Sequence, residues 1–439
     1  MSLPAVLRSH LFWATDFFKG GCIRQHYKNI RWLMEKYDSG KAYEYRSLLL
    51  KRLLLHAVET SPFYRKYKGF TTFNDFPVIN KSVIKEYSDS FISDSYYGRK
   101  VHKITTSGST GAPLSVVQNK TKRERHIAEN IYFTEIAGAP LGTKLYYLRV
   151  WNELNRKSRL RCFMQNMVMV DADDISDWKF NPFLFKLQND HERKYILAFA
   201  STLEAFSQFL RDKQQPLDIR TNCIIAISET LPEGARQILQ KKFSCPVISR
   251  YSNMENGFLA QQCGHDSGEY HINTASYYIE LLHPDKDEQA EPGKTGRIVV
   301  TDLFNYAMPI IRYDTGDMAI YSENSFCGNP GPVFTSVEGR RVDYIYNTAG
   351  RLLSPHVVTN TMWKYSAEVK QFQFIQKGQK DYLLKLNTGT KYPLKTHEII
   401  NDLKKYTGED SEISVEFVEE IPVLGSGKRK KIVNEYKKF

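Results

Sequence analysis

The stretch TTSGSTGAP, residues 105–113, places two glycines among small hydroxyl side chains. Glycine lets the backbone bend freely, so the N–H groups and hydroxyls of such a loop can converge on one anion. The pattern predicts a helix over residues 121–136 directly after the loop, and the N-terminal end of that helix would add to the attraction. The loop lacks the GK[ST] ending of a Walker P-loop. Alone, it indicates an anion-binding loop and leaves the anion open.

Short apolar runs alternate with helical patterns on the C-terminal side of this loop. Buried strands are predicted at residues 145–150, 167–170, 195–200 and 223–228, with helices at 203–210 and 234–243. This alternation favours an α/β architecture. A β-hairpin follows at residues 277–303, and the last part of the chain is predicted as a small α+β unit. We expect a large domain of residues 1–341 and a small one of residues 342–439.

The composition is that of a globular protein of 439 residues with a net charge of +12. No nucleic-acid motif accompanies the basic charge, and the six cysteines form no paired secretory framework. No segment approaches the roughly 20 apolar residues of a spanning helix. We therefore expect a cytoplasmic protein, with no indication of its oligomeric state. Phe12, Trp13, Phe17 and Phe18 predict a helix packed on the core, and contact with a membrane surface is the alternative.

Four further motifs follow the loop in order. YSNMENG at residues 251–257 contains Glu255, a candidate Mg²⁺ ligand, and RYDTGD at 312–317 ends in Asp317, which can accept hydrogen bonds from ribose hydroxyls. EGRRVDYI lies at the predicted domain boundary. LGSGKRKK places Lys428 on a glycine-flanked loop near the C-terminus.

The ordered set resembles the motifs of the adenylate-forming superfamily of acyl-CoA synthetases, luciferases and peptide-synthetase adenylation domains. The resemblance covers roughly residues 80–430. It is closest to the phenylacetate–CoA ligase branch, on SPFYRKY at 61–67 and FPVINK at 76–81. Within that branch, GEYHIN at 268–273 and VVTDLFNYAMPIIRYDTGD at 299–317 are similar to relatives encoded in capsular-polysaccharide clusters (CapK-like).

The resemblance implies a two-domain fold with a mobile small domain, and a reaction in which a carboxylate and ATP give an acyl-adenylate and pyrophosphate. It also implies the role of each site residue. The β- and γ-phosphates of ATP would be bound by the loop residues Ser107, Gly108, Ser109, Thr110 and Gly111, and the adenine by Tyr251, Ser228 and Glu229; Thr106, Ser252 and Asn253 are further candidates for nucleotide binding. Asp317 would bind the ribose. The candidate catalytic residues are Glu255, which would hold Mg²⁺, Arg340 beside Asp317, and Lys428, which would reach the carboxylate and the α-phosphate.

The resemblance leaves the acceptor of the acyl group open. CoA is favoured, and an amine is the alternative, which would give an amide in polysaccharide or small-molecule biosynthesis. Ala112 and Met254 depart from the family pattern, where Lys and Thr are usual, and they motivate a third hypothesis of a non-catalytic nucleotide-binding relative. Val342 falls near the position where relatives often have an acidic hinge residue.

Two further sets of residues are candidates for binding. Some phenylacetate–CoA ligase relatives hold a structural zinc ion, and the candidate ligands here are Cys263, His265, His271 and Cys327. The relatives' second cysteine before the CG pair is missing, and unliganded side chains are the alternative. Candidates for the acyl pocket follow a predicted buried strand: Arg149, Trp151, Asn152 and Arg156. Their arginines would suit an acid with a second negative or polar group, or they lie on an ordinary basic surface.

Overall fold

A computed structural model gives the structure of this protein. It describes residues 3–105, 114–151, 153, 155–172, 177–213, 216–264, 268–291, 293–340, 344–353, 355–388, 395–422 and 429–436. The predicted phosphate-loop residues 106–111, together with His265 and Lys428, therefore lie outside the described residues.

The helices of the described residues are α1 (Leu3–Phe18), α2 (Cys22–Glu35), α3 (Gly40–Thr60), α4 (Lys81–Glu86), α5 (Ser88–Phe91), α6 (Lys120–Ile136), α7 (Arg159–Met164), α8 (Asp177–Gln188), α9 (Ala200–Leu210), α10 (Glu233–Phe243), α11 (Pro355–Trp363) and α12 (Thr396–Thr407). The strands are β1 (His102–Thr105), β2 (Ser115–Gln118), β3 (Lys144–Arg149), β4 (Met167–Asp171), β5 (Lys194–Phe199), β6 (Thr221–Ile227), β7 (Val247–Asn253), β8 (Gly257–Gln262), β9 (Tyr270–Ile272), β10 (Tyr277–Leu282), β11 (Thr295–Asp302), β12 (Tyr313–Ser322), β13 (Val333–Arg340), β14 (Ile345–Tyr346), β15 (Leu352–Leu353), β16 (Gln371–Gln376), β17 (Asp381–Asn387), β18 (Glu412–Phe417) and β19 (Ile432–Asn434).

The large unit is organised around a sheet of 11 strands in the order β10-β11-β12-β13-β9-β8-β7-β6-β5-β3-β4. Strands β3 to β7 are parallel, and β7 to β13 pair antiparallel. The predicted α/β class is confirmed. The sequence patterns also predicted the β10–β11 hairpin, but they did not show that it continues the same sheet.

Strand β6 shows why the parallel strands of the sheet have continuously apolar sequences. Ile224 and Ala226 belong to the core formed with α8, α9 and α10, whereas Cys223 and Ile225 belong to a second cluster on the other face. All four side chains are fully buried. A strand covered on both faces needs apolar residues at every position rather than at every second one.

The small unit has its own core. Its sheet has the order β18-β17-β16-β19 and packs against α11 and α12 through Met362, Phe374, Leu384 and Leu403. The predicted boundary between residues 341 and 342 lies outside the described residues, so it stays a prediction.

Contacts between the two units centre on α9, α10 and α11. Trp363 of α11 packs against Gly234 of α10, where a Cβ atom would lie 1.6 Å from the Trp363 indole nitrogen. Arg211 donates a hydrogen bond of 2.7 Å to the Ser366 hydroxyl, and Lys431 forms an ion pair with Glu204. The missing side chain at residue 234 is therefore what admits the tryptophan.

Helix α1 was predicted to pack its aromatic side chains on the core, and only part of it does so. Ala5 and Asp16 are buried, but Phe17 and Phe18 are exposed. The prediction that these two phenylalanines pack on the core is wrong, because the helix turns them toward the face opposite its buried side. Within the described residues, no helix has the length and apolar character needed to cross a membrane.

Candidate active site

Glu255 lies in the turn between β7 and β8 and is buried. The turn is held by the Asn256 N–H, which donates to the Asn253 side-chain oxygen over 2.8 Å. Gly257 follows with φ of 109°, and a Cβ there would lie 3.0 Å from the His126 ring. This position requires glycine for its backbone angle and for the close approach of His126. The turn thus holds the Glu255 carboxylate inside the protein.

Two groups from distant parts of the chain meet this carboxylate. The Tyr313 hydroxyl lies 3.3 Å from Glu255 Oε1, and the Lys81 ammonium lies 3.9 Å from the same oxygen. Lys81 belongs to the FPVINK motif, but nothing in the sequence indicated that it reaches Glu255. A buried carboxylate beside an ammonium group suits a site for a divalent cation bound to phosphates.

Backbone pairing brings Lys81 to this place. The Ile79 N–H donates to the Arg312 carbonyl over 2.9 Å, and the Asp314 N–H donates to the Ile79 carbonyl over 2.7 Å. Asn80 then caps α4 by accepting hydrogen bonds from two backbone N–H groups. The segment before α4 is therefore joined to the start of β12, and Lys81 follows directly.

Arg312, the first residue of RYDTGD, ties these parts together. Its guanidinium forms two hydrogen bonds to Glu280, of 2.9 and 3.2 Å, and a third of 2.9 Å to the Phe76 carbonyl. Burial raises the pKa of Glu280, and the nearby Arg312 guanidinium opposes that change. Arg312 has φ of 52°, an unusual backbone angle for a residue with a side chain. Its three hydrogen bonds offset that strain.

Tyr251 and Asp317, both predicted to bind the nucleoside, contact each other. The Tyr251 hydroxyl donates a hydrogen bond of 2.7 Å to Asp317 Oδ2, and the Thr315 hydroxyl lies 3.3 Å from it. Burial, together with the Asp317 carboxylate, raises the pKa of Tyr251 well above its ordinary value. The Tyr251 hydroxyl is therefore neutral and donates to the carboxylate. Arg340 pairs with Asp317 across β12 and β13, and its side chain lies outside the description.

Ser228 and Glu229 follow the carboxyl end of β6, next to β7. Ser228 has φ of 74°, and Glu229 accepts a hydrogen bond of 3.2 Å from the Ser201 N–H at the start of α9. Ser252 and Asn253 end the neighbouring strand β7. Ligands of open α/β sheets bind beyond the carboxyl ends of the parallel strands. All four residues lie at that edge of the sheet, where a nucleotide is expected to bind. Their nucleotide contacts stay predictions.

The ends of the predicted phosphate loop are closed by a strand pair. Thr105 and Ser115 face each other across β1 and β2, with their hydroxyls 3.3 Å apart. Strand β2 is joined to the segment before RYDTGD by a hydrogen bond of 3.0 Å from the Asn305 amide to the Val117 carbonyl. The strands on either side of the predicted loop, β1 and β2, are therefore joined to the segment that leads to Asp317.

Helix α6, which comes after that hairpin, is anchored by buried charges that sequence reasoning missed. Lys122 lies 2.7 Å from Asp302, and Arg125 donates to the Ser276 hydroxyl over 2.8 Å. Both cations and Asp302 are fully buried. Burial raises the pKa of Asp302, against the effect of Lys122. A helix pattern in the sequence does not show which of its charged residues face inward.

Three of the four candidate zinc ligands converge. Ligand atoms of Cys263, His271 and Cys327 all lie within 4.8 Å of one another, and His271 Nε2 is 3.1 Å from Cys327 Sγ. His265 lies outside the described residues. The donor set of two thiols and one imidazole fits zinc, which prefers four nitrogen or sulfur ligands.

The acyl-pocket candidates are only partly brought together. Trp151 is buried and donates a hydrogen bond of 3.0 Å to the Val170 carbonyl, and the Arg149 guanidinium lies 5.3 Å from the Trp151 ring centre. Asn152 lies outside the described residues. The Arg149–Trp151 contact lies at the carboxyl end of β3, the same edge of the sheet as Ser228.

Comparison with known proteins agrees with this geometry. Residues 345–435 match the family model described as the CapK C-terminal domain. Protein CapK of Staphylococcus aureus is 23% identical over 445 aligned residues, which cover 96% of this chain and 95% of that protein. A structure of 2-hydroxyisobutyryl-CoA ligase, in the postadenylation state with R3-HIB-AMP, aligns with a TM-score of 0.71 at 16% identity, over 92% of this chain and 90% of the other.

The chain therefore has the fold of an adenylate-forming ligase, and it is similar to CapK over nearly its whole length. Phenylacetate-coenzyme A ligase of Thermus thermophilus is a second relative, 23% identical over 67% of this chain and 69% of that protein. The predicted two-domain fold is confirmed, and so is the predicted similarity to CapK and to phenylacetate–CoA ligase.

We predict that Arg312→Met lowers the free energy of unfolding by about 3 kcal/mol or more, because Glu280 stays buried without its partner. Urea titration measures this change. Arg312→Met combined with Glu280→Met should recover much of the loss. Arg31→Met, which breaks the exposed pair with Glu35, is the matched control and should leave the free energy of unfolding nearly unchanged. Equal losses for the buried and the exposed pair would contradict the role given to Arg312.

Proposed function

We propose that this protein activates a carboxylic acid with ATP and then transfers the acyl group to CoA. The observation that carries the proposal is the convergence of three separate segments, which contribute Lys81, Asp317 and the pair Tyr251 and Glu255. The S. aureus and T. thermophilus relatives and the fold of 2-hydroxyisobutyryl-CoA ligase support it.

The reaction makes definite demands on these residues. A carboxylate oxygen forms a bond to the α-phosphorus of ATP, the bond to the β-phosphate oxygen breaks, and pyrophosphate leaves. Negative charge on the phosphates has to be met by donors and cations already in place. We assign Asp317 to the ribose, Tyr251 with Ser228 and Glu229 to the adenine, and Lys428 to the carboxylate and α-phosphate. Mg²⁺, held by Glu255, would neutralise the triphosphate.

Lys81 can replace a cation that the phosphate loop lacks. Ala112 stands where many relatives carry a lysine. Lys81 provides an ammonium group 3.9 Å from the proposed magnesium ligand. We assign it to the β- and γ-phosphates, so that the loop provides hydrogen-bond donors and α4 provides the positive charge.

The function is tested by ATP–pyrophosphate exchange over a panel of carboxylic acids that includes aromatic acids and uronates. We expect exchange that depends on one acid, followed by a thioester when CoA is added. An amide formed with an amine, and no thioester, would establish the alternative acceptor. No exchange with any acid, in a protein that still binds ATP, would point to the non-catalytic relative.

We predict that Lys81→Met slows acid-dependent exchange roughly 100-fold and raises KM for ATP, because one phosphate cation is lost. Lys85→Met is the matched control, since Lys85 lies one turn further along α4, and it should retain its activity. A Lys81→Arg variant should recover part of the rate. Equal effects at residues 81 and 85 would remove Lys81 from the site.

We also infer that Cys263, His271 and Cys327 hold a structural zinc ion, with His265 as a candidate fourth ligand. Metal analysis of the protein as purified should find about one zinc per chain. Cys327→Ser should lose the metal and unfold at a lower temperature, whereas Cys22→Ser, outside the cluster, should keep both. A zinc content near zero in the unaltered protein would refute this site.

A further inference from the structure

Helix α1 turns its apolar side outward. Five of its large apolar side chains are between 60% and 86% exposed: Leu3, Leu7, Leu11, Phe17 and Phe18. With 3.6 residues per turn, all but Phe17 fall within roughly 80° of the helix circumference, and Phe17 lies at the edge of that stripe. A surface helix normally places such a stripe against the core. Here the stripe faces the surroundings.

Helix α7 extends this surface. Arg8 of α1 lies 5.7 Å from the centre of the Phe163 ring, so the two helices are neighbours. The exposed apolar residues of α7 are between 64% and 70% exposed: Leu160, Phe163 and Met164. We call these eight residues of α1 and α7 the α1/α7 surface. Apolar patches shared by two elements are uncommon on proteins that stay monomeric in water, and they mark interaction sites.

The charge around the α1/α7 surface is positive. Residues 155–164 contain four cations and no acidic residue: Arg156, Lys157, Arg159 and Arg161. Partial burial, and then the charges of Arg161 and Arg149, lower the pKa of Lys157, which reflects this crowding of like charges. The single acidic residue of α1, Asp16, is buried and accepts hydrogen bonds from two N–H groups of α2, of 3.2 and 2.9 Å.

We propose that the α1/α7 surface docks the protein on a bilayer that contains anionic lipids. Exposed Leu and Phe side chains can enter the interface between headgroups and acyl chains, while arginines beside them attract anionic headgroups. A second copy of the chain fits less well, because each copy has a net charge of +12 and would present the same cationic cluster. The amphipathic pattern of α1, exposed on its apolar side, is what a surface-bound helix requires.

Vesicle flotation of the full chain tests this proposal. The protein should float with vesicles of phosphatidylcholine and phosphatidylglycerol in equal parts, and much less with phosphatidylcholine alone. Raising the salt from about 0.1 M to about 1 M should weaken the binding. No flotation with either vesicle, or equal flotation with both, would overturn the proposal.

Two double variants separate the apolar contribution from the electrostatic one. Phe17→Ser with Phe18→Ser should weaken vesicle binding by about tenfold or more, because two aromatic rings no longer leave water. The matched control is Phe417→Ser, at an exposed phenylalanine of the small unit, and it should bind as the unaltered protein does. Arg159→Glu with Arg161→Glu should weaken binding to anionic vesicles by about tenfold or more. Its control is Lys370→Glu with Lys377→Glu, also on the small unit.

Circular dichroism and acid-dependent exchange should be unchanged in all four variants, since none of these residues belongs to the proposed active site. Light scattering after size-exclusion chromatography tests whether a second copy of the chain, rather than a bilayer, covers the α1/α7 surface. An unaltered protein that is dimeric, and that becomes monomeric with Phe17→Ser and Phe18→Ser, would assign the surface to a second copy and overturn the membrane proposal.

Discussion

The buried ion pair between Arg312 and Glu280 is the interaction on which the site depends. Three segments meet at this pair: the chain before α4 through the Phe76 carbonyl, strand β10 through Glu280, and the start of β12 through Arg312 itself. Two charges buried together need complete hydrogen bonding, because either one alone would be costly. That requirement makes the arrangement specific. It places Lys81 and Tyr313 beside the carboxylate of Glu255.

The mixed sheet supplies the two halves of the proposed nucleotide site. Its parallel half ends at Ser228 and Asn253, at the edge where α/β sheets bind ligands. Its antiparallel half contributes Asp317 and Tyr313 through β12. The hydrogen bond from Tyr251 to Asp317 joins the halves. Neither half alone contains both the proposed adenine pocket and the proposed ribose acceptor, so the site exists only in the complete sheet.

The proposed membrane surface and the proposed nucleotide site use different parts of the large unit. The first is built from α1 and α7, and the second from β6, β7, β12 and α4. Attachment to a bilayer would therefore leave the proposed chemistry unaltered while placing the enzyme near a surface. The contact of Trp363 with Gly234 involves a third region, which joins the small unit to α10.

Local sequence was sufficient to predict the fold class and several residues of the proposed site. The apolar strands and the helices between them predicted the α/β class, and the ordered motifs indicated the resemblance to adenylate-forming ligases, because period, turn residues and motif order are local properties. They also placed Glu255, Tyr251 and Asp317 in one predicted site. Pairings between distant residues were decided only by the tertiary structure. Lys81 beside Glu255, Lys122 beside Asp302 and the outward face of α1 depend on how strands and helices pack, which no local pattern contains.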